Sequence, residues 1–517
     1  MESSPAIRRR LRPYWWTLPG AAVLILLTVA FECTAIDGFA PAFSAVPLDD
    51  AWIHFVYARN ALETGILHYN PGEPAAGTSS LLWVLLLALP IKLGAYPPVA
   101  AKVLGLLAQF GLALLTFFAL RKHAFAALGA LGAILVCADP IAVFAALSGM
   151  EVLPYSLLAF AATLALIQGW YRAAGVLAGL TVIARPDGAL LAGLVIVGGL
   201  VHVATTYRTS AQLRARLSHA AFWLILPPLL LGLFWAYLNF HATGRFLPAS
   251  FYVRAGGLAF FTSLPPLTKI FHNLAAVGAF IGQPLQWMLY ALGLLWIGWR
   301  RDVRLWLLVA FPWLLSILMA EQTLQIIGGT FLGHRYIVPA LPFFLFVQLL
   351  GAAFVVELLL EKRVLHRTYR KRYLPGIAAV ATLLLLVGDP RVAPRHLERQ
   401  RTEYARACHE IQSMQVTIGK WLATRAAPGA RIGTYDAGAI AFFSGRETID
   451  ILGLNSPGVA PLSPPVISRL DYLVTFPALS EDVEKPYAQR EVFRVEFEKS
   501  TAVADKLMAV YRVQAEP

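Results

Sequence analysis

The chain reads as a mainly α-helical protein, a polytopic transmembrane helical bundle of about 11 spans followed by a small C-terminal α/β domain on the extracytoplasmic side. Three observations predict this. Of its 517 residues, 58% are hydrophobic and 14% charged, against the roughly one-quarter charge of a soluble domain, and its mean hydropathy is positive. Apolar runs of the roughly 20 residues a bilayer crossing needs recur along the chain. Past Asp389 the texture changes to charged, mixed sequence as far as Pro517, long enough for a domain of its own. The expected domains are therefore 1–388, carrying an outer loop at 37–80, and 389–517.

Long apolar runs occupy 14–36, 98–120, 124–146, 150–168, 188–206, 219–240, 275–299, 304–321, 336–360 and 374–388. A shorter one, Ala173 to Ala184, pairs with 188–206 across the turn Arg185-Pro186-Asp187-Gly188. The first run follows Arg8-Arg9-Arg10-Leu11-Arg12 without a convincing cleavage site, so it reads as an uncleaved helix. Cytoplasmic loops carry the excess of Lys and Arg. The clusters at 8–12, 121–123, 207–216, 300–304 and 361–372 are accordingly placed inside. Leu81 to Ala95 is short and interrupted at Pro90, and a crossing there would put Arg121 outside, so it reads as re-entrant or interfacial. The N-terminus is then cytoplasmic and the C-terminal domain outside. A formal charge of +13 does not indicate nucleic acid, because the basic residues lie between apolar segments rather than on one soluble face. Cys33, Cys137 and Cys408 are too scattered for a disulfide framework or a thiolate metal site.

This topology gathers Glu32, Asp49, Asp50, Asp139, Glu151, Arg185, Asp187, Arg245, Arg254, Glu321, His334 and Arg335 at the outer side. Ionisable groups near lipid are costly and usually mark function, although some of these are snorkelling or solvated loop residues. A transporter would carry polar groups near the bilayer midplane on broken helices in related halves. The sequence has neither that placement nor a repeat, so an enzyme at the outer interface is favoured over a transporter or flippase of lipid-linked saccharides.

The first outer loop contains Asp49-Asp50 ahead of Ala51-Trp52-Ile53-His54-Phe55-Val56-Tyr57-Ala58-Arg59-Asn60. Paired carboxylates can remove a proton from an attacking hydroxyl or hold a cation. They can equally cap an amphipathic helix, and spacing leaves both roles open. Glu151 stands at capping-box distance from Ser148, Asp139-Pro140 marks a helix end, and Asp436-Ala437-Gly438 reads as a strand-to-helix turn capped by Asp436. His54 and His68 lack diagnostic metal-ligand spacing, so no metal is expected from the residues themselves.

Further along come Tyr69-Asn70-Pro71-Gly72-Glu73, Gly77-Thr78-Ser79-Ser80 before Trp83, Ser148-Gly149-Met150-Glu151, Ala184 to Gly188, Leu247-Pro248-Ala249-Ser250-Phe251-Tyr252, Gly333-His334-Arg335-Tyr336, Tyr435 to Gly445 and Ile449 to Leu454. Taken in this order with the Asp pair, the chain resembles the GT-C superfamily of membrane glycosyltransferases, above all bacterial arabinofuranosyltransferase-like and GT39-like enzymes that use polyprenyl-phosphate sugars. Trp52 and His54 after the Asp pair, and Val152 after Glu151, depart from the usual pattern and leave the sugar open.

The resemblance implies sugar transfer from a polyprenyl-phosphate donor to a glycan, lipid or protein acceptor of the cell envelope, at the outer face of a bacterial inner membrane. It implies Asp50 as catalytic base with Asp49 supporting, and Arg335, His334 and Arg185 at the donor phosphate. Arg59, Tyr57, Glu151 and Tyr252 are further pocket candidates. Some members of the superfamily use a divalent cation, so one is possible here. The tail would cover the site, bind a polymeric acceptor, or serve as a plain cap. Its first part reads as a charged amphipathic stretch through Trp421, followed by short apolar runs at Arg431 to Thr434, Ile449 to Leu452 and Tyr472 to Thr475.

Overall fold

A computed structural model describes residues 17–514 apart from 66, 74–76, 124–125, 208–209, 250, 253–264, 321–334, 362–392, 457–458, 460–462, 499 and 501–502. Helix α1 (Leu18–Glu32) leads into the first loop, which carries α2 (Asp49–Thr64) and α3 (Leu81–Lys92). Then follow α4 (Pro97–His123), α5 (Ala126–Ala138), α6 (Pro140–Leu147), α7 (Val152–Ile167), α8 (Tyr171–Ala184), α9 (Gly188–Thr206) and α10 (Ser210–Thr243). The membrane part closes with α11 (Pro266–Ile281), α12 (Pro284–Arg300), α13 (Leu307–Leu318) and α14 (Leu341–Glu361). Among the described residues four helices are long and apolar enough to cross a membrane, within 97–122, 188–206, 211–243 and 338–355. Large apolar side chains stay exposed on them, such as Leu229, Leu230, Leu233 and Phe234 of α10. A continuous outward apolar face of this kind suits a bilayer rather than water.

Two expected spans are broken, each for a local reason. The run 124–146 bends by 56° between α5 and α6. There Asp139 leaves the helical region and its carboxylate accepts the N–H groups of Ile141 and Ala142 at 2.9 and 3.1 Å, while Pro140 has no N–H to continue the ladder. The run 275–299 divides at Gly282, whose φ of 110° and ψ of −149° suit a residue without Cβ. Pro284 then opens α12. Helix α3 has 12 residues, a rise of about 18 Å at 1.5 Å per residue, short of a hydrocarbon core of about 30 Å. It therefore does not cross alone. The expected segment 374–388 lies outside the described residues.

The amphipathic stretch of the tail is α15 (Pro394–Ile411), a single π-turn at Gln412–Val416 and α16 (Thr417–Arg425). Strands β1 (Arg431–Thr434), β2 (Glu447–Asp450), β3 (Tyr472–Thr475), β4 (Glu491–Glu496) and β5 (Leu507–Arg512) form one sheet in the order β2-β1-β3-β5-β4. The short helix α17 (Ala439–Ser444) connects β1 to β2. β1 pairs in parallel with β2 and β3, and β5 runs antiparallel to β3 and β4. β3 is buried along its whole length, as a strand covered on both faces should be.

A buried polar cluster joins the two parts. The Glu32 carboxylate accepts hydrogen bonds from Lys102 Nζ and Tyr404 Oη at 2.8 Å each and from the Phe43 amide at 2.7 Å. It thereby ties the end of α1 to the first loop, α4 and α15. Removing one partner of a buried pair leaves an uncompensated charge. Lys102→Met should lower stability by about 3–5 kcal/mol, seen as a reduced apparent Tm in detergent. Adding Glu32→Gln to it should recover part of that loss.

Candidate active site

The site is organised by α2. Successive residues of an α-helix project about 100° apart, so Asp49 and Asp50 cannot face the same way. Asp50, Ile53 and His54, at i, i+3 and i+4, line a cavity of about 380 Å³ together with Thr78, Ser79, Met150, Glu151, Arg185, Asp187, Phe251, Arg335, Tyr336, Leu454 and Asn455. The Asp50 side chain is 44% exposed, and its Oδ2 accepts a hydrogen bond from Arg335 Nη2 at 2.7 Å. The same Nη2 donates to Tyr336 Oη at 3.1 Å. Among the described residues Nε and Nη1 of Arg335 have no partner. A buried guanidinium with two unengaged N–H sites is suited to an anionic group, which it can grip through parallel hydrogen bonds.

Arg185 stands differently. Its Nη1 donates to Glu151 Oε1 and its Nε to Asp187 Oδ1, both at 2.9 Å. The expected turn is present too, with the Gly188 amide bonded to the Arg185 carbonyl at 2.9 Å. Glu151 is not the capping-box partner of Ser148. Ser148 Oγ instead accepts the Met150 amide, and the Glu151 carboxylate turns into the cavity, 3.6 Å from His54 Nε2. Burial pushes the His54 imidazole below its ordinary 6.5, against the opposing pull of Glu151 and Asp50. His54 is therefore neutral near pH 7 and available as a hydrogen-bonding group.

The other carboxylate of the pair faces the C-terminal domain. Asp49 Oδ2 accepts the Gly438 amide and Oδ1 the Ala439 amide, both at 2.7 Å, and Asp49 does not line the cavity. It caps α17 rather than its own helix, which has no side-chain cap. The expected role of Asp436 as that cap is corrected, since its Oδ2 accepts Gln415 Nε2 at 2.6 Å. Gly438 is required by closeness, because a Cβ there would lie 2.0 Å from the Asp49 carbonyl oxygen. Burial raises the Asp49 carboxyl well above its usual range and Asp436 adds to this, while the two backbone N–H groups oppose it.

Arg59 and Tyr57 support the site without lining it. Arg59 Nη1 donates to the Phe442 carbonyl at 3.0 Å, and its guanidinium lies 4.9 Å from the Phe442 ring. Tyr57 Oη accepts the Gly77 amide at 3.0 Å. Tyr252 does not line the cavity; its neighbour Phe251 does, and Arg245 stacks over Tyr252 at 4.9 Å. His334 lies outside the described residues. No group of three or more His, Cys, Asp or Glu among the described residues is arranged to hold a metal ion.

Sequence reasoning missed Asn455, which follows directly on the run Ile449 to Leu454. The carboxyl ends of β1 and β2 point toward α2 and the cavity, where open α/β sheets bind ligands. There Asp450 Oδ2 accepts both the amide and Nδ2 of Asn455 at 2.9 Å, and Oδ1 accepts the Leu452 amide at 2.9 Å. The loop so ordered packs against Gly77, where a Cβ would lie 2.2 Å from Asn455 Oδ1.

The fold has known counterparts. ArnT from Cupriavidus metallidurans in the apo state is 16% identical and superposes with a TM-score of 0.60, covering 98% of this chain and 99% of its own. The same protein bound to undecaprenyl phosphate gives 15% identity and a TM-score of 0.60 over 97% and 98% of the two chains. The Archaeoglobus fulgidus oligosaccharyltransferase in its apo form gives 14% identity and 0.57, over 93% and 73%. No curated protein matches the chain by sequence. Residues 403–511 match a family model described as a domain of unknown function, DUF8728. The chain thus has the GT-C fold over nearly its whole length.

Burial pushes the Asp450 carboxyl up to about 6 from 3.8, against the hydrogen bonds from Asn455 and Leu452 and with a smaller contribution from Asp50. Between those values the folded chain retains a proton that the unfolded chain has released. Its contribution to stability is complete below the unfolded value and is lost as pH rises through about 6. This group should therefore contribute a fall in the apparent Tm of the full chain from about pH 5 toward about pH 7. The slope should be shallower in Asp450→Asn, as a thermal-shift series across pH would measure.

Proposed function

We propose that the protein is a membrane glycosyltransferase that moves a sugar from a polyprenyl-phosphate donor to a hydroxyl-bearing acceptor at the extracytoplasmic face of a bacterial inner membrane. The observation that carries this reading is the Asp50–Arg335 pair, 2.7 Å apart in a cavity bounded by the outer loop, helix ends and the C-terminal domain. It joins a carboxylate able to accept a proton to a guanidinium whose Nε and Nη1 have no partner among the described residues. That a protein of the same fold binds undecaprenyl phosphate supports a lipid-phosphate donor.

In the proposed reaction Asp50 takes the proton of the acceptor hydroxyl as its oxygen attacks the anomeric carbon. The bond from that carbon to the phosphate oxygen breaks and its electron pair leaves with the polyprenyl phosphate. Arg335 receives that anion, and the sugar configuration inverts. Arg185, held by Glu151 and Asp187, sets the opposite wall. His54 and Asn455 offer hydrogen-bonding groups to the sugar or the acceptor. Holding the reactants together accounts for much of the rate, and the base for a further factor. Residues 1–388 form the membrane domain in this reading, and 389–517 the extracytoplasmic domain.

The test is release of polyprenyl phosphate from a panel of lipid-phosphate sugars by the purified protein. One donor should turn over, and Asp50→Asn should slow it about 10²–10⁴-fold, the range for loss of a general base. Arg335→Gln should raise the donor KM and lower kcat together. If no donor turns over, and the protein moves such lipids between leaflets whether or not Asp50 is present, it is a transporter instead.

A further inference from the structure

We propose that Asp49 is a positioning residue, whose carboxylate clamps the C-terminal domain onto the helix that carries Asp50 and so holds the cavity wall and the base in register. The proposal rests on the reading of Asp50 as base.

The pitch of α2 gives the helix two distinct faces. Asp50, Ile53 and His54 belong to the cavity. Asp49 and Trp52 belong to the C-terminal domain, the Trp52 ring packing against Phe442 and Phe443 at 5.0 and 4.8 Å between centroids. About two turns beyond Trp52, Arg59 holds the Phe442 carbonyl. The chain following α2 adds two more ties. Tyr69 Oη donates to the Ala437 carbonyl. The Asn70 amide matches the edge of β2 as another strand would, Nδ2 donating to the Thr448 carbonyl at 2.8 Å and Oδ1 accepting its amide at 3.0 Å.

Every tie converges on the segment between the end of β1 and the end of β2, and the loop after β2 brings Leu454 and Asn455 into the cavity wall. The domain of unknown function thus supplies part of the site. Asp49 is the tie made by the residue adjacent to Asp50, through two backbone N–H groups. A displacement of the domain is therefore passed directly to the base, and a shift of about 1 Å in such a group can slow a reaction about 10²-fold.

Two isolated changes break the clamp from opposite sides in the full-length protein. Asp49→Asn keeps the size but sets an NH2 group against one of the two backbone donors. Gly438→Ala introduces a Cβ where it would lie 2.0 Å from the Asp49 carbonyl and 2.7 Å from Oδ2. Each should lower kcat about 10–100-fold with the donor KM within about threefold. The double variant should be no slower than the slower single one, because both remove the same contact. Amide exchange across 436–445 and 451–456 should accelerate in both. Asp49→Ser, which keeps one acceptor oxygen, should fall between them and the parent.

Asp50→Asn should slow turnover about 10²–10⁴-fold while leaving that exchange at the parental rate. Parental exchange in Asp49→Asn would overturn the clamp. Accelerated exchange with unchanged kcat would reduce Asp49 to a structural tie, and multiplying losses in the double variant would mean the two residues act separately. Should the parent release no polyprenyl phosphate at all, the glycosyltransferase reading fails, and exchange in Asp49→Asn still decides the clamp.

Discussion

The pitch of one helix is the constraint on which the rest of this molecule depends. Because neighbouring residues of α2 diverge by about 100°, a doublet of aspartates at its start meets two environments. One carboxylate is buried against backbone amides of the C-terminal domain, and the other is left half-exposed beside Arg335. A single inserted or deleted residue ahead of Ile53 would rotate these faces and mismatch both. The cavity is therefore a joint product of two domains that meet along one helix. The apolar bundle fixes Arg185, Glu151 and Arg335 from below, and the sheet fixes Asn455 from above.

Much of this was legible in the sequence. Hydrophobic length marked the helices because a bilayer demands it. Strands β1 and β3 fall on the apolar runs expected for them, since buried parallel strands are nearly continuous in apolar residues. The boundary signals reported a true 56° bend at Asp139-Pro140 and a true turn between helices at Arg185-Pro186-Asp187-Gly188. β4 and β5 were not anticipated. β4 alternates exposed and half-buried side chains at the edge of the sheet, with Glu491, Arg494 and Glu496 on it, so its composition resembles loop.

The candidate site was legible in its parts and not in its pairings. Asp50, Glu151, Arg185 and Arg335 could be nominated because charged residues near lipid are rare, yet nothing in their spacing says that Arg185 is already paired with Glu151 and Asp187 while two nitrogens of Arg335 have no partner among the described residues. Asp49 was inseparable from Asp50 on paper, and Glu151 had the spacing of a cap. Both assignments turn on tertiary partners, Arg185 34 positions from Glu151 and Gly438 389 positions from Asp49, where local rules carry no information. Asn455 escaped notice because a lone Asn after a hydrophobic run reads as an ordinary turn residue. Only the Asp450 carboxylate, which holds its amide and its backbone, distinguishes it.

The bonds from Asp49 to Gly438 and Ala439 also set an order of events. They join residues 389 and 390 positions apart, so during synthesis the first loop is translated long before its partners exist. A nascent chain halted short of Gly438 would already hold Asp50, Arg185 and Arg335, but not the segment that seats α2. The seat of α2 and the cavity wall are therefore complete only once the chain has been made through Asn455.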